Sequence, residues 1–189
     1  MWPILSNLYR RQDRTPDFHE LRMHDYVALF VYDTMKKGFL QDDYLKNSHY
    51  LGKGYTITDK YYMNVTAGNG NAVIFKEDNP HSMKSGKIRG EVYAVKPELL
   101  LDIDSYHQNG IMYDREQRNI VLQDQRLETG GKSFIPTRRC HLYIGRWEHW
   151  KIYNTRSGML IRGPKPIKDY YDFVNPHRWT PEDYKDYML

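Results

Sequence analysis

A phenol, a carboxylate, a hydroxyl and two ammonium groups stand together in the segment Tyr32-Asp33-Thr34-Met35-Lys36-Lys37-Gly38. This segment follows a run, residues 27–31, that is apolar at both alternating positions, which predicts a strand covered on both sides. Strand ends commonly carry functional loops, and the backbone N–H groups at such an end can bind an anion. The sequence therefore predicts an anion cradle directly after the first strand.

Length and composition predict one folded domain with tails. The chain has 189 residues, 40% hydrophobic and 28% charged, which is enough for one substantial core and too little for a comfortable second. Residues 1–24 show no sustained hydrophobic period and predict an N-terminal extension. Residues 25–157 form the predicted domain, and residues 158–189, rich in proline, a C-terminal extension.

Neither a membrane segment nor a secretion signal is expected. The longest apolar run falls far short of the ~18 residues that span a bilayer. Arg10 and Arg11 come too early for a signal peptide. We expect a cytoplasmic protein with no membrane partner.

Metals, cofactors and disulfides are not expected either. The single cysteine, Cys140, excludes an internal disulfide and a Cys-rich zinc site, and its strand-like surroundings predict a packed thiol. The eight histidines show no close ligand spacing, so no metal site is predicted. The Gly68-Asn69-Gly70-Asn71 segment predicts a hairpin turn, since no helix or lysine follows at the phosphate-loop offset, and no nucleotide cofactor is identified.

The net charge of +4 comes from 28 basic and 24 acidic residues interleaved along the chain, which favours a mixed solvated surface. The segment after residue 137 is more basic, and aromatic residues alternate with its cations. Such a pattern could bind a protein or a nucleic acid, although a tyrosine-rich strand pair with basic edges is the favoured interpretation. The residues concerned are Arg138, Arg139, Arg146, Lys151, Arg156, Arg162, Lys165 and Lys168, with Tyr143, Trp147, Trp150 and Tyr153.

The order of the predicted elements indicates an α+β fold, a compact mixed β-barrel or sheet with short flanking helices. A helix over 39–46 is expected to turn Phe39, Leu40 and Tyr44 inward, and a second begins at Pro97, at the position proline favours, and continues to Asp104. Beyond Gly158 only a short helix from Pro181 is expected. The predicted strands are 27–31, 49–57, 60–65, 71–76, 86–95, 113–123 and 138–146.

Several short motifs together resemble one known family. In order they are FVYDTM at 30–35, LGKGYT at 51–56, GKIRGEVYAV at 86–95, Leu101-Asp102 and Tyr113-Asp114-Arg115. Their order and spacing are similar to those of the gamma-glutamylcyclotransferase-like superfamily, which includes the AIG2-like and butirosin-biosynthesis cyclotransferases. The resemblance covers about half of the chain and implies a compact barrel with a pocket at the end of the first strand.

The resemblance also implies a reaction and its site. Family enzymes hold a gamma-glutamyl group on the amides of a Tyr-Gly-Ser/Thr-Leu loop, and a glutamate takes a proton from the substrate's α-amine, which then attacks the γ-carbonyl. The products are 5-oxoproline and an amine or peptide. Carried onto this sequence, the substrate-binding residues are Tyr32, Asp33, Thr34, Met35 and Tyr113.

Two positions depart from the family pattern. Asp33 stands where the family has glycine, adding a side chain and a negative charge that either repels an anion, points outward or binds an amine. Counted from Leu101-Asp102, the catalytic glutamate is replaced by Ser105, which is too weak a base. Asp104 and His107 are the alternative bases, although a helix would rotate Asp104 by ~100° from that position.

Two functions follow from these residues. One is a cyclotransferase in which Asp104 or His107 replaces the glutamate. The other is a catalytically inactive member of the fold that binds a small gamma-glutamyl-type or other anionic ligand, or a macromolecule. Glu91 resembles a structural glutamate of the family, and we expect it to pair with Arg115 or Arg89.

Overall fold

The structure, a computed structural model, describes residues 25–58, 60–66, 71–76, 86–123, 127–129, 132–134, 136–157 and 160–161. The predicted N-terminal extension, residues 68–70 of the predicted turn at 68–71 and the predicted helix from Pro181 lie outside these residues.

Strands dominate the described part of the chain. In order, the elements are β1 (Val27–Val31), a 3-10 helix (Asp42–Leu45), β2 (His49–Thr56), β3 (Tyr61–Thr66), β4 (Ala72–Lys76), β5 (Arg89–Val95), α1 (Pro97–Tyr106), β6 (Tyr113–Leu122), β7 (Leu127–Thr129), β8 (Lys132–Phe134), β9 (Thr137–Gly145), α2 (Trp147–Ser157) and β10 (Leu160–Ile161).

Five of the strands close into a barrel in the order β1-β5-β2-β6-β9. β1 pairs antiparallel with β5 and parallel with β9. The other three pairs of the barrel are antiparallel: β5 with β2, β2 with β6, and β6 with β9. β3, β4 and β10 make a second sheet, and β7 pairs with β8. The predicted α+β class, a mixed β-barrel with short flanking helices, is confirmed.

β1 is buried on both faces, as its apolar run predicts. Ala28 and Phe30 pack with residues from all the other barrel strands and so face the barrel interior. Leu29 and Val31 pack on the outside, where α1 covers them with Leu100 and other residues. This double burial fixes β1 firmly and therefore fixes the position at which the following turn begins.

The segment 39–46 is not the helix that the sequence predicts. Four of its main-chain N–H groups donate to the carbonyl three residues earlier, Gln41 N–H donates to Thr34, and only Asp42–Leu45 form a 3-10 helix. With three residues per turn, Phe39 and Leu45 face the same way, and both are buried. Leu40 is 72% and Tyr44 38% exposed, so the prediction that they point inward is wrong.

The C-terminal part of the barrel domain holds a helix that the sequence analysis missed. α2 begins at Trp147, directly after β9, where a strand pair was the favoured interpretation. Trp150 is buried in the outer core, and its indole Nε1 donates to the main-chain oxygen of Met112 at 2.9 Å. β10 pairs with Val65 and Thr66 of β3, so regular structure also continues past Gly158, contrary to prediction. Neither α1 nor α2, the helices of the described residues, has the length and apolar character to cross a membrane.

Gly90 of β5 lies where two strands approach closely, as a glycine inside a strand pattern suggests. A Cβ atom at this position would stand 2.2 Å from the main-chain oxygen of Val31 and 2.7 Å from the ring of Phe30. Both neighbours are buried. Only a hydrogen fits there without moving β1, and β1 positions the turn that carries the candidate site.

We therefore expect Gly90→Ala to lower the free energy of unfolding by about 3 kcal/mol, because the added methyl must displace backbone and a packed ring. Urea denaturation followed by circular dichroism measures the change. Gly38→Ala is the control: its Cβ would meet nothing within 4 Å, and its φ of +85° costs only about 1 kcal/mol. Equal losses in the two variants would contradict the close approach at Gly90.

Candidate active site

Residues 32–36 of the turn after β1 are buried, and three amides of the turn are bound by carboxylates of the chain itself. Met35 N–H donates to the Asp33 carboxylate at 3.1 Å, Lys37 N–H to Glu91 at 2.9 Å, and Gly38 N–H to Asp42 at 2.9 Å. The predicted anion cradle stays a prediction, although three amides of the turn do face negative charge. In the described residues, that charge comes from side chains of the protein.

Side chains from other elements hold the start of this turn in place. The Tyr32 hydroxyl donates to the main-chain oxygen of Tyr143 in β9 at 2.6 Å. Thr34 Oγ1 donates to Asn71 Oδ1 at 3.2 Å, and Asn71 Nδ2 donates to the Tyr106 hydroxyl at 3.2 Å. Because Tyr32 and Thr34 are each at most 2% exposed, these bonds replace solvent and fix the turn between β9 and α1.

His107, at the C-terminal cap of α1, lies against this turn. Its ring stacks on Tyr143 with centroids 4.2 Å apart and meets Tyr106 and Tyr113 edge-on at 5.1 and 4.8 Å. The imidazole is 5% exposed, and burial lowers its pKa from 6.5 to about 3. Its Nε2 is 3.8 Å from Asp33, but an ion pair would need a protonated ring. We regard the ring as neutral near pH 7 because the aromatic surroundings disfavour the charge.

Asp33 carries the second unusual acid–base group of the cluster. Burial raises the pKa of its carboxyl from 3.8 to about 6, and the Met35 N–H and the nearby Lys36 ammonium oppose the rise. The side chain is 4% exposed and points into the protein. Of the three placements considered from the sequence, the outward one is therefore excluded.

Asp104 lies on the inner side of α1 without any change of helical register. It comes four residues after Leu100 and three before His107, both buried, and this spacing keeps residues on one face of a helix. Its Oδ1 accepts from the Tyr143 hydroxyl at 2.8 Å, and its Oδ2 is 3.0 Å from the Arg115 guanidinium. Asp104 therefore lies beside His107 with one side chain, Tyr143, in contact with both.

Ser105, in contrast, points away from the cluster. It is exposed, and its hydroxyl donates to the main-chain oxygen of Leu101 one turn earlier at 3.1 Å. Counting from the Leu101-Asp102 motif selected this position, but the helix turns it toward solvent. Of the three alternatives from the sequence, His107 lies against the turn, Asp104 contacts the neighbouring Tyr143, and Ser105 lies outside the cluster.

Tyr143 and Arg115 are the partners of Asp104 that sequence reasoning missed. Both lie on neighbouring barrel strands and face each other directly in the β6–β9 register. Side chains two residues apart in a strand lie on the same face, so the position of the predicted Tyr113 could have indicated that Arg115 shares its face of β6. Tyr113 itself is 6% exposed and meets His107, so it belongs to the cluster, and its role in substrate binding stays a prediction.

Two further predictions, for Glu91 and Cys140, have clear outcomes. Glu91 binds the Lys37 amide and the Tyr93 hydroxyl, so the expected pairing with Arg115 or Arg89 is wrong. Cys140 is fully buried, as expected, and burial raises its pKa to about 12. No group of three or more His, Cys, Asp or Glu that could hold a metal ion occurs among the residues the structure describes.

The basic and aromatic C-terminal segment does not present its aromatic rings uniformly to solvent. Tyr143 is 3% and Trp150 6% exposed, because both pack in the outer core. Arg146 Nε is 3.6 Å from Asp114, and its guanidinium donates to the main-chain oxygen of Gly110. Tyr143 and Trp150 therefore contribute to the core and have no surface for stacking bases.

We expect the stability of the parent protein relative to Asp33→Asn to fall as the pH rises. The pKa of Asp33 is raised on folding, so its contribution is fully present below pH 3.8 and is lost as the pH passes about 6. The loss amounts to about 3 kcal/mol for a change of about two pKa units. Asparagine keeps an acceptor for Met35 N–H but does not ionise, so the difference isolates the charge.

Urea denaturation of both proteins at intervals from pH 4 to pH 7 measures this difference. Burial lowers the pKa of His107, so the contribution of this residue to stability rises with pH, opposite to that of Asp33. Because both proteins contain His107, this contribution cancels in the difference between them. Parallel pH profiles for the two proteins would contradict a raised pKa at Asp33.

Comparison with known proteins agrees with the fold and the turn. The family model for "Gamma-glutamyl cyclotransferase, AIG2-like" matches residues 29–156. A protein of Methanocaldococcus jannaschii, provisionally named a gamma-glutamylcyclotransferase, is 37% identical over 95 residues, which are 50% of this chain and 72% of that protein.

The solved structure of a mouse relative supports the fold. The crystal structure of a mouse AIG2-like protein superposes with a TM-score of 0.50 and 20% identity, covering 64% of this chain and 78% of the mouse chain. An uncharacterized protein from Pyrococcus horikoshii gives a TM-score of 0.48 at 20% identity, covering 80% of this chain and 95% of that chain. Because the family model spans the turn, the barrel and both helices, the chain belongs to the AIG2-like gamma-glutamyl cyclotransferase family.

Proposed function

We propose that this protein cyclises gamma-glutamyl amines or peptides to 5-oxoproline, with Asp104 as the general base. The observation that carries the proposal is the position of the Asp104 carboxylate. It lies on the inner face of α1, is 17% exposed, and accepts a hydrogen bond from Tyr143. The Tyr143 ring stacks on His107, and the Tyr143 main-chain oxygen accepts from Tyr32 at the start of the turn after β1. A base must reach both its proton and solvent-borne substrate, and this partly open carboxylate can do both.

The contacts of Asp104 suit this role. The Arg115 guanidinium at 3.0 Å and the Tyr143 hydroxyl at 2.8 Å hold the carboxylate in one orientation. His107 is a weaker candidate, because it is 5% exposed and its burial among three tyrosines leaves a substrate no access to the ring. Among the residues considered, Asp104 combines charge with access.

The reaction then proceeds with one proton carried by Asp104. The carboxylate takes a proton from the substrate's α-ammonium, and the amine nitrogen attacks the γ-carbonyl carbon to form the five-membered ring. For an amide of the turn after β1 to stabilise the negative charge that develops on the carbonyl oxygen, the substrate must first displace the carboxylate that accepts from it. The bond to the leaving nitrogen breaks as Asp104 returns its proton to that nitrogen. The ring nitrogen gives up its second proton to the released amine, which leaves as an ammonium together with 5-oxoproline.

We expect Asp104→Asn to lower the rate of 5-oxoproline release from a panel of gamma-glutamyl amines and dipeptides by roughly 100-fold or more, since it removes the general base. Release is measured by chromatography of the products. Asp102→Asn makes the same change at an exposed position of the same helix and should leave the rate unaltered. Ser105→Glu should also have no effect, because Ser105 faces solvent. A gain of activity in Ser105→Glu would contradict Asp104 as the base.

A second candidate function, ligand binding without turnover, is favoured by one specific contact. The Asp33 carboxylate already accepts the Met35 N–H, at the position where the family has an unsubstituted glycine. In this alternative the cradle is closed to the γ-glutamyl carbonyl, and the chain binds another small ligand or a macromolecule. The two candidates differ in whether Asp33 blocks an acidic guest.

We expect Asp33→Ala to bind 5-oxoproline at least about tenfold more tightly than the parent protein, because it frees one amide donor and removes a buried charge. Isothermal titration calorimetry measures the affinity. Asp33→Asn keeps an acceptor at Met35 N–H but has no charge. Its affinity should resemble that of the parent protein if the occupied amide prevents binding, and that of Asp33→Ala if the carboxylate charge prevents it. Unchanged affinity in Asp33→Ala would contradict the blocking role of Asp33, whatever the effect of Asp104→Asn.

A further inference from the structure

A cavity of about 790 Å³ lies on the other side of the turn after β1. β1 has β9 on one side and β5 on the other, and the cluster around His107 adjoins β9. The cavity is instead lined by the later residues of the turn, the 3-10 helix, β2 and β5. Among the described residues, none that lines it belongs to the cluster of Asp104, His107 and Asp33. The cavity is thus separate from the candidate active site, and its volume suits a small molecule.

The strand pairing explains why charged groups meet here. In the β2–β5 register, Lys53 faces Glu91 and Tyr55 faces Arg89, while Gly90 of the intervening pair points into the barrel. Paired residues lie on the same side of a sheet, and alternate residues along a strand return to that side. Lys53, Glu91 and Arg89 therefore share the outer wall of the barrel, which forms the floor of the cavity.

Cationic side chains outnumber carboxylates around this cavity. Five cations line it against three carboxylates, and the cations come from four different elements. They are Lys36, Lys37, Lys46, Lys53 and Arg89, and the carboxylates are Asp42, Asp43 and Glu91. A concave surface with an excess of positive charge concentrates anions.

The three carboxylates are already engaged by the protein. Glu91 accepts from the Lys37 N–H at 2.9 Å and from the Tyr93 hydroxyl at 2.8 Å, and Asp42 accepts from the Gly38 N–H at 2.9 Å. Asp43 lies 3.9 Å from Lys46, on the exposed rim. Two of the carboxylates therefore stabilise the turn, where their lone pairs are directed at N–H and O–H groups.

One of the cations is built into the wall. Lys36 is only 5% exposed, yet it lines the cavity, and its ammonium lies 5.6 Å from the centre of the Phe39 ring. A buried ammonium is costly unless anions or π-systems compensate its charge. Its position in the cavity wall beside Lys37 adds a charge that bulk water screens poorly.

We propose that this cavity binds a small molecule through a phosphate or pyrophosphate group. An arginine fork and several ammonium groups around one concave surface match the oxygens of a phosphate, which can accept several charge-assisted hydrogen bonds at once. The binding site is independent of the proposed cyclotransferase reaction. Lys53 and Arg89, adjacent on the barrel wall, contact the phosphate oxygens.

Isothermal titration calorimetry of the whole chain with sodium pyrophosphate and with AMP tests the proposal. The parent protein should bind at least one of the two saturably, and more weakly as sodium chloride is raised. The double variant Lys53→Gln with Arg89→Gln should lose about tenfold or more in affinity, which is the change expected for one lost charge-assisted contact.

A matched double variant, Lys60→Gln with Arg139→Gln, controls for net charge. Both of these residues are exposed, neither lines the cavity, and the loss of charge is the same. It should bind within about twofold of the parent protein, since distant exposed charges are screened. Absence of saturable binding to both probes, or an equal loss in the two double variants, would overturn the proposal. Citrate binding as tightly as pyrophosphate would overturn the assignment to phosphate.

Discussion

Buried main-chain amides must have hydrogen-bond acceptors, and the turn after β1 obtains them from three carboxylates of the chain. Asp33, Glu91 and Asp42 lie at separate positions of the sequence and bind the amides of Met35, Lys37 and Gly38. Met35 is fully buried, so leaving its amide unpaired would cost about 1–3 kcal/mol, and the three bonds together hold the turn in one conformation. The candidate active site and the basic cavity both depend on that conformation, because each uses one side of the turn.

The same turn separates two chemical environments. On the β9 side, Asp33, His107 and the surrounding tyrosines form a nearly dry cluster in which burial favours the neutral form of both titratable groups. On the β5 side, lysines and an arginine surround an open cavity. Asp33, which stands where the family has glycine, explains part of the contrast between the two sides. Its carboxylate accepts from the Met35 amide and so takes the place that an external anion would occupy. Asp104 lies at the edge of the dry cluster, where Arg115 balances its charge.

Elements with strong local patterns could be predicted from the sequence, and elements defined by distant contacts could not. The apolar run of β1, the proline at the start of α1 and the glycine inside β5 each have a local cause, and each prediction is confirmed. The segment 39–46 and α2 were mispredicted. Residues 39–46 form turns of three residues each, and such turns have no distinct amino-acid composition. α2 has few apolar residues that would mark a buried face in the sequence.

At the site, the residue types and their order along the chain were readable from the sequence, including the turn, the substitution of glycine by Asp33 and the nearby Asp104 and His107. Motif counting pointed to Ser105, yet the face of α1 that packs on the barrel carries Asp104, because Leu100 and His107 must be buried on that side. Tertiary structure alone decided the partners. Tyr143 and Arg115 reach Asp104, and Glu91 reaches the turn, only because barrel closure brings β5, β6 and β9 beside β1 and α1. Local sequence encodes which groups are present, whereas the pairing of strands far apart in the chain determines which groups meet.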